Sequence, residues 1–261
     1  MWELLRGWRV QKRVWGALFM RQMQSRWGRR NLGFAWLFCE PLIFAFPVIA
    51  MWSQMRAPVE HGFPMIGLIW SGYLPLLVFR HVTQHAMYAV RDNAAMLYHH
   101  LVTPLDLVIG RCGLEMIGNL AAVAFSFFVF YLLGLMEWPA DVSPVIVGVL
   151  YMTWWAFGVA LLVAAWSERT DLDEHIWPPI SYIYMPVSGF FYLAEWLPTS
   201  LRDITLTVMP SIHCYEMIRS GLWGSKMHAY YDVGYLSFVL TVLTLVGLWL
   251  VRDVRRFIEV E

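Results

Sequence analysis

The sequence predicts an all-α protein that crosses a membrane six times, with an amphipathic helix before the first span and a re-entrant helical hairpin between spans five and six. Three observations support this fold class: 59% of the residues are hydrophobic and only 15% are charged, six apolar stretches are each candidate spans, and two further helical stretches are too short to span. A soluble domain has about 45–50% apolar and about 25% charged residues. The composition therefore excludes a soluble domain, and a formal net charge of zero gives no reason to expect nucleic-acid binding.

A basic segment at residues 1–31 precedes the first span. Between residues 17 and 30, a helical pattern places Leu18, Phe19, Met23 and Trp27 on one face. A basic amphipathic helix with aromatic residues on its apolar face lies in the lipid headgroup layer. We therefore expect this helix to lie along the inner membrane surface. Its opposite, basic face consists of Arg21, Gln22, Ser25, Arg26, Arg29 and Arg30.

Six apolar stretches are the candidate spans, since crossing the hydrocarbon core takes about 20 residues. They form one expected transmembrane domain, 32–251, which a basic tail at 252–261 follows. The spans are expected at about 31–52, 63–79 with a helical extension to 91, 105–135, 144–166, 178–193 and 231–251.

The distribution of basic residues predicts the orientation. Residues 1–31 and 252–261 together hold 11 of the 19 Lys and Arg. The positive-inside rule therefore places both termini in the cytoplasm. The external segment 194–231 opposes this bias, because it carries Arg202, Arg219 and Lys226. No small-residue cleavage site follows the basic start, so we expect no cleaved signal peptide.

The stretch between spans five and six contains two moderately apolar helical pieces, at about 196–208 and 212–223, separated at Met209-Pro210. Neither piece is long enough to cross the bilayer. This pattern predicts a re-entrant or interfacial hairpin on the external side.

Signatures of nucleotide binding and of metal binding are missing from the sequence. The nearest string to a P-loop, GLWGSKM at 221–227, has no hydroxyl residue after its Lys. His81 and His85 have metal-ligand spacing but no nearby third ligand. We therefore expect no metal, no resident cofactor and no catalytic residue. Glu40 is the only deeply placed acid, which argues against an ion-driven carrier.

Aromatic residues make up 16% of the chain. Within spans they form interfacial belts or, alternatively, an apolar surface along which sugar rings pass. Both interpretations remain open for the six candidates, which are Trp36, Trp70, Tyr73, Tyr151, Trp154 and Trp155.

Four motifs in order resemble the type 2 ABC exporter permeases for polysaccharides, over nearly the whole chain. The first is the Arg-rich run 20–41, which leads into L-G-x-x-W and then Pro. The segment 97–115 resembles the family's coupling helix and the start of span three. Ser188-Gly189 with 196–198 resembles the turn into the gate hairpin, and 210–219 matches its P-x-x-H-x-x-E-x-x-R pattern. Met209 stands where an Asn is common. The likeness is greatest to the capsular polysaccharide export permeases of Gram-negative bacteria.

The resemblance implies a non-enzymatic half-transporter in the bacterial inner membrane. Two copies would surround a path for lipid-linked capsular polysaccharide. Each copy would dock a cytoplasmic ATPase subunit that holds ATP and Mg²⁺. A periplasmic co-polymerase and an outer-membrane pore would continue the path.

The resemblance also implies roles for particular residues. Arg21, Arg26, Arg29 and Arg30 would gather an anionic lipid or an acidic sugar terminus, although plain anchoring of the helix is an alternative. With the six aromatic candidates they would form the substrate access and path. The expected ATPase-coupling residues are Asp92, Asn93, Met96, Leu97, Tyr98, His99, Asp171, Asp173 and Glu174. The expected external gate consists of Trp196, Pro198, Pro210, His213, Glu216 and Arg219.

Two alternatives stay open at this point. One is a permease for O-antigen or teichoic acid, which differs in lipid carrier and sugar. The other is an intramembrane enzyme acting on lipid-linked glycans, for which Glu40, Glu115 and His81 are the available groups. A neighbouring ATPase gene would favour the permease.

Overall fold

The computed structural model describes residues 13–23, 32–55, 59–97, 102–170 and 173–254, and in these ranges the fold is all-α, as predicted. The one exception is a short antiparallel hairpin of β1 (Val59–Glu60) and β2 (Phe63–Pro64), turned by His61 and Gly62 at positive φ. The helices are α1 (13–23), α2 (Leu32–Met55), α3 (Met65–Met87), α4 (Pro104–Leu132), α5 (Val142–Ser167), α6 (Asp173–Val187), α7 (Thr199–Val208), α8 (Pro210–Trp223) and α9 (Val233–Asp253). Shorter 3₁₀ turns cover Arg91–Met96, Ala194–Trp196 and Gly224–Lys226.

Four helices in the described part of the chain, α3, α4, α5 and α9, are long and apolar enough to cross a membrane. The protein is therefore a multi-pass membrane protein. The predicted first span corresponds to α2, which has 24 residues. The predicted fifth span corresponds to α6, which has only 15 residues, or about 22 Å against a hydrocarbon core of about 30 Å. Helix α6 begins at Asp173, before the expected start of the fifth span at about 178.

Helix α3 lies at the centre of the fold. Almost its whole circumference is buried, from Met65 to Met87. It packs most extensively on α5 and α4, and also contacts α2, α6 and α8. A helix that is apolar on every side is expected in such a central position. The helices around it keep exposed apolar faces, as membrane helices do where they meet lipid.

Helices α5 and α8 approach each other closely because small residues lie between them. A Cβ on Gly148 of α5 would lie 2.7 Å from Cγ1 of Ile218 and 3.0 Å from the carbonyl oxygen of Cys214. A Cβ on Gly221 of α8 would lie 2.8 Å from the backbone nitrogen of Val145. Small residues allow such backbone contact between helices in membranes. The hairpin of α7 and α8 is thus held against the start of α5, and we call this side of the molecule the hairpin end.

Helix α1 and the end of α9 lie on the opposite side, which we call the termini end. Thr103 and Asp106 form a capping box at the start of α4, and the indole N–H of Trp15 donates to Oδ1 of Asp106 at 2.8 Å. Leu18 is buried, with its Cβ 3.6 Å from the position of a Cβ on Gly110. Gln22, which the sequence pattern placed on the basic face, is only 3% exposed. That assignment was wrong, because Gln22 lies on the side of α1 that packs against α4.

We predict that Gly148→Ala destabilises the protein and separates α5 from α8. The added methyl has no space, and overpacking a well-filled site costs about 1–3 kcal/mol. The measurement is the midpoint of thermal unfolding in detergent micelles. Gly113→Ala is the matched control, since this helical glycine of α4 has nothing within 4 Å of an added Cβ. Equal midpoints for the two variants would contradict the close contact.

Candidate functional site

Among the buried polar side chains of α8, three lie at intervals of three residues. They are His213, Glu216 and Arg219, and each is at most 4% exposed. The helix begins at Pro210, whose missing N–H costs nothing in the first turn. Each of the three side chains binds the backbone of a segment that is not helical. Together they form what we call the α8 polar row.

Arg219 holds the segment that follows α6. Its guanidinium Nη1 donates to the carbonyl of Gly189 at 2.9 Å and its Nη2 to the carbonyl of Phe190 at 2.7 Å. It also donates to the carbonyl of Tyr192 and, through Nε, to Oγ of Ser71 on α3 at 3.4 Å. Burial lowers the pKa of Arg219, but a guanidinium remains charged. The side chain therefore satisfies carbonyl groups of the irregular segment after α6, which have no helical partners.

Glu216 joins two other segments. Its carboxylate accepts the backbone N–H of Ala194 at 2.9 Å and that of Tyr230 at 3.1 Å. Burial raises the pKa of Glu216, while the Ala194 N–H, Arg219 and the Tyr230 N–H act in the opposite direction. The chain before α7 and the chain before α9 are thereby attached to one carboxylate.

His213 uses both ring nitrogens. Its Nδ1 accepts the backbone N–H of Asp232 at 3.0 Å, and its Nε2 lies 2.8 Å from the carbonyl of Leu206. This pair of partners assigns the neutral tautomer with the proton on Nε2. A proton on Nδ1 would oppose the N–H of Asp232. Burial accordingly lowers the pKa of His213 below its ordinary value.

The other expected gate residues also lie at the hairpin end. The ring of Trp196 lies 4.5 Å from that of His61, and Pro198 directly precedes α7. Helix α7 has no buried residue, in contrast to α8. The structure thus brings the six predicted residues to one end of the molecule. Whether they gate a path stays a prediction.

At the termini end, hydrogen bonds join the segments on which ATPase coupling was expected. The guanidinium of Arg91 donates to the carbonyl of Ser167 at 2.8 Å, and Oγ of Ser167 donates to the carbonyl of Met87 at 2.6 Å. We call these two bonds the α3–α5 staple. Arg169 donates to the carbonyl of Leu250 at 3.3 Å. The sequence pattern gave no sign of Ser167, because a single Ser at a helix end is common.

The segment Arg91–Met96, which holds the first of the expected coupling residues, is a 3₁₀ turn. Asp92 is exposed, whereas Nδ2 of Asn93 donates to the carbonyl of Ala89 at 3.0 Å. Met96 is half-buried, and Leu97 packs against the core. Outside the described residues lie Tyr98, His99 and Asp171, and the same holds for the side chains of Asp173 and Glu174.

The aromatic candidates are used to join helices. The indole N–H of Trp70 donates to Ser126 on α4, and that of Trp155 donates to the hydroxyl of Tyr184 on α6, both at 3.0 Å. The polar groups of Tyr151 and Trp154 meet α9, at Ser237 and Thr244 respectively. Tyr73 is buried beside Phe190. These rings face different helices, and their place in a path stays a prediction.

The basic face is described only in part. Arg21 is exposed on α1. Arg26, Arg29, Arg30 and the side chain of Trp36 lie outside the described residues.

A second polar cluster connects α3 and α4. Nδ1 of His81 lies 3.0 Å from Oδ1 of Asn119, and Nδ1 of His85 lies 3.6 Å from Oε1 of Glu115. Asn119 was missed in the sequence, because its importance depends on the neighbouring helix. Within the described ranges, no group of three His, Cys, Asp or Glu is placed to hold a metal.

We predict that Arg219→Lys lowers the unfolding midpoint in detergent by about 6 °C or more. An ammonium cannot reach all the carbonyls that the guanidinium binds, and each buried group left without a partner costs roughly 1–3 kcal/mol. The control is Arg202→Lys. Arg202 lies over the ring of Tyr230, 4.2 Å from its centroid, outside the α8 polar row. If Arg202→Lys lowers the midpoint as much, the hydrogen bonds of Arg219 to the buried carbonyls are not the cause of the loss.

We predict that His213 makes the protein less stable in acid. Its pKa in the folded protein is below the ordinary value of about 6.5, so the unfolded chain takes up a proton first as the pH falls. Stability is therefore complete above about pH 6.5 and declines below it, by at most about 1.4 kcal/mol per pH unit. Unfolding midpoints of the native protein and His213→Asn, measured from pH 8 to 5, check this. The variant should show the smaller decline, and parallel curves would contradict the assignment.

Comparison with known proteins identifies the family of this chain. Residues 13–223 match the family model described as ABC-2 type transporter. The capsule polysaccharide export inner-membrane protein BexB of Haemophilus influenzae is 33% identical over 96% of this chain and 94% of its own. CtrC of Neisseria meningitidis serogroup B, which has the same description, is 33% identical over 99% of this chain and 96% of its own. The polysialic acid transport protein KpsM of Escherichia coli is 24% identical over 94% and 95%. With its membrane-spanning helices, this chain belongs to the ABC-2 type transporter family.

Proposed function

We propose that this chain is the membrane subunit of an ATP-driven exporter that moves lipid-linked capsular polysaccharide across the bacterial inner membrane. The observation that carries the proposal is the similarity, over nearly the full length, to inner-membrane proteins named for capsule polysaccharide export. Membership of the ABC-2 family makes the chain a transporter subunit rather than an enzyme. The relatives do not favour the alternative of an intramembrane enzyme with Glu115 and His81.

The proposal places the termini end in the cytoplasm. Arg13, Arg21, Arg91, Arg169 and Arg252 lie at this end, which agrees with the positive-inside rule. Helices α2 and α6 then complete six spans. The α1 helix lies at the inner surface, and the hairpin of α7 and α8 re-enters from the outside.

A second copy of the chain and two ATPase subunits complete the transporter. Each ATPase docks on Arg91–Met96 with the residues after it, and on the segment between α5 and α6. The α3–α5 staple supports this arrangement, since it connects the two docking segments directly. Closure of the ATPases on ATP and Mg²⁺ would then displace both segments together. A periplasmic co-polymerase and an outer-membrane pore take over the polymer beyond the membrane.

The arrangement predicts that Asp92→Lys weakens binding of the ATPase encoded beside this gene. Asp92 is exposed on the docking segment, so reversing its charge acts on the partner rather than on the fold. The measurement is co-purification of the ATPase, followed by ATP hydrolysis in lipid vesicles. The matched control is Glu137→Lys, an equal charge change on an exposed residue at the hairpin end. If no ATPase binds the native chain, the proposed function is wrong. If Asp92→Lys and Glu137→Lys lose the ATPase equally, the proposed docking site at Arg91–Met96 is wrong.

A further prediction concerns the staple. Arg91→Ala should leave the ATPase bound and active but reduce capsule export per ATP by about 2- to 10-fold. This range follows because one hydrogen bond contributes about 0.5–1.5 kcal/mol to the coupling. Arg252→Ala, another exposed arginine at the termini end, should change neither quantity. Export is read as surface polysaccharide and hydrolysis as released phosphate. If Arg91→Ala exports as much capsule per ATP as the native protein, the α3–α5 staple does not transmit movement from the ATPases to the membrane helices.

A further inference from the structure

An open groove lies at the hairpin end. It has a volume of about 600 Å³, within the range of about 300–1,000 Å³ typical of small-molecule sites. One side is α7, the other is the chain before α9, and buried His213 forms the floor. The lining residues that matter for binding are Asp203, His213, Tyr230, Tyr231, Asp232 and Tyr235.

The walls of the groove are held in place from within the protein. The hydroxyl of Tyr235 donates to the carbonyl of Thr207 at 2.6 Å, which joins the start of α9 to α7. Both nitrogens of His213 are occupied, as described above. Arg202 covers one face of the Tyr230 ring. The groove is therefore preorganised, and binding a ligand there costs little additional ordering.

Other groups in the groove remain free for a ligand. Tyr231 is 40% exposed. The carboxylate of Asp203 is exposed and has no hydrogen-bond partner within the described part of the chain. Asp232 uses one oxygen to cap α9 through the N–H of Tyr235 at 3.0 Å. An aromatic face and two acceptor carboxylates thus point to the same space.

The chemistry of these groups selects a class of ligand. Tyrosine rings offer an apolar face with a polar edge, which fits the C–H face of a pyranose ring. Carboxylates accept strong hydrogen bonds from hydroxyl groups. The described lining has two acidic residues, and Arg202 on the Tyr230 ring offsets only one of these charges, so an anionic ligand would meet a net like charge. An acyl chain would leave the carboxylates unpaired.

We propose that this groove is a binding site for uncharged sugar residues of the exported polymer. The inference rests on the proposed function, which delivers a polysaccharide to this end of the molecule. The groove contacts one short stretch of neutral, hydroxyl-rich sugar at a time. A shallow, open site of this kind holds a passing chain weakly, which suits release to the outside.

Saturation-transfer NMR on the full chain in lipid nanodiscs tests the proposal. Maltotriose and N-acetyllactosamine serve as neutral probes, and a trimer of α2,8-linked N-acetylneuraminic acid as an anionic probe. We expect transfer to the ring C–H protons of a neutral probe and none to the anionic trimer. Tyr231→Ala should reduce the transfer by about fivefold or more, since aromatic contact is its main source. Asp203→Asn should reduce it as well.

The matched control is Tyr131→Ala on α4, since Tyr131 is 42% exposed against 40% for Tyr231 but lies outside the groove. It should leave the transfer unchanged. The groove proposal is overturned if neutral probes give no transfer, if the control reduces the transfer equally, or if the anionic trimer binds as well. Displacement of a neutral probe by pentalysine would instead identify a basic peptide as the occupant, which also overturns it. Co-purification of the ATPase, measured on the same samples, separates this failure from a failure of the proposed function.

Discussion

Buried hydrogen bonding by the α8 polar row is the constraint on which the hairpin end depends. A chain that interrupts its helices near a membrane leaves backbone groups without helical partners, and lipid cannot supply them. Arg219 binds carbonyls after α6, Glu216 binds N–H groups before α7 and α9, and His213 joins α7 to the start of α9. One rigid helix therefore organises three irregular segments. These buried polar side chains therefore take the place that water would have on the backbone.

Helix α5 connects the two ends of the molecule. At the hairpin end its Gly148 meets the backbone of α8, and at the termini end its Ser167 belongs to the α3–α5 staple. The helix has 26 residues, which corresponds to a length of about 39 Å. Packed helices move as units rather than by bending. In the proposed transporter, a displacement of the docking segments would therefore reach the α8 polar row through this single continuous helix.

Much of the fold followed from apolar stretches in the sequence. The bounds of α3, α4, α5 and α9 agree with the expected spans to within a few residues, because long apolar runs leave little choice of structure. The break at Met209-Pro210 was also predicted, and α7 ends at Val208 while α8 begins at Pro210. The burial of Gln22, the start of α6 at Asp173 and the 3₁₀ form of Arg91–Met96 were not, since each depends on a neighbouring element.

The sequence by itself determined the class of the protein, its helices and the set of polar residues at 210–219, because composition, run length and local spacing are properties of one segment. Only the tertiary structure decided what those residues do. The P-x-x-H-x-x-E-x-x-R pattern does not say that Arg219 binds carbonyls 27 to 30 residues earlier in the chain. Nor does it show that His213 must be neutral. Helix packing determines which residues so distant in the chain become partners, and a local sequence pattern does not contain that information.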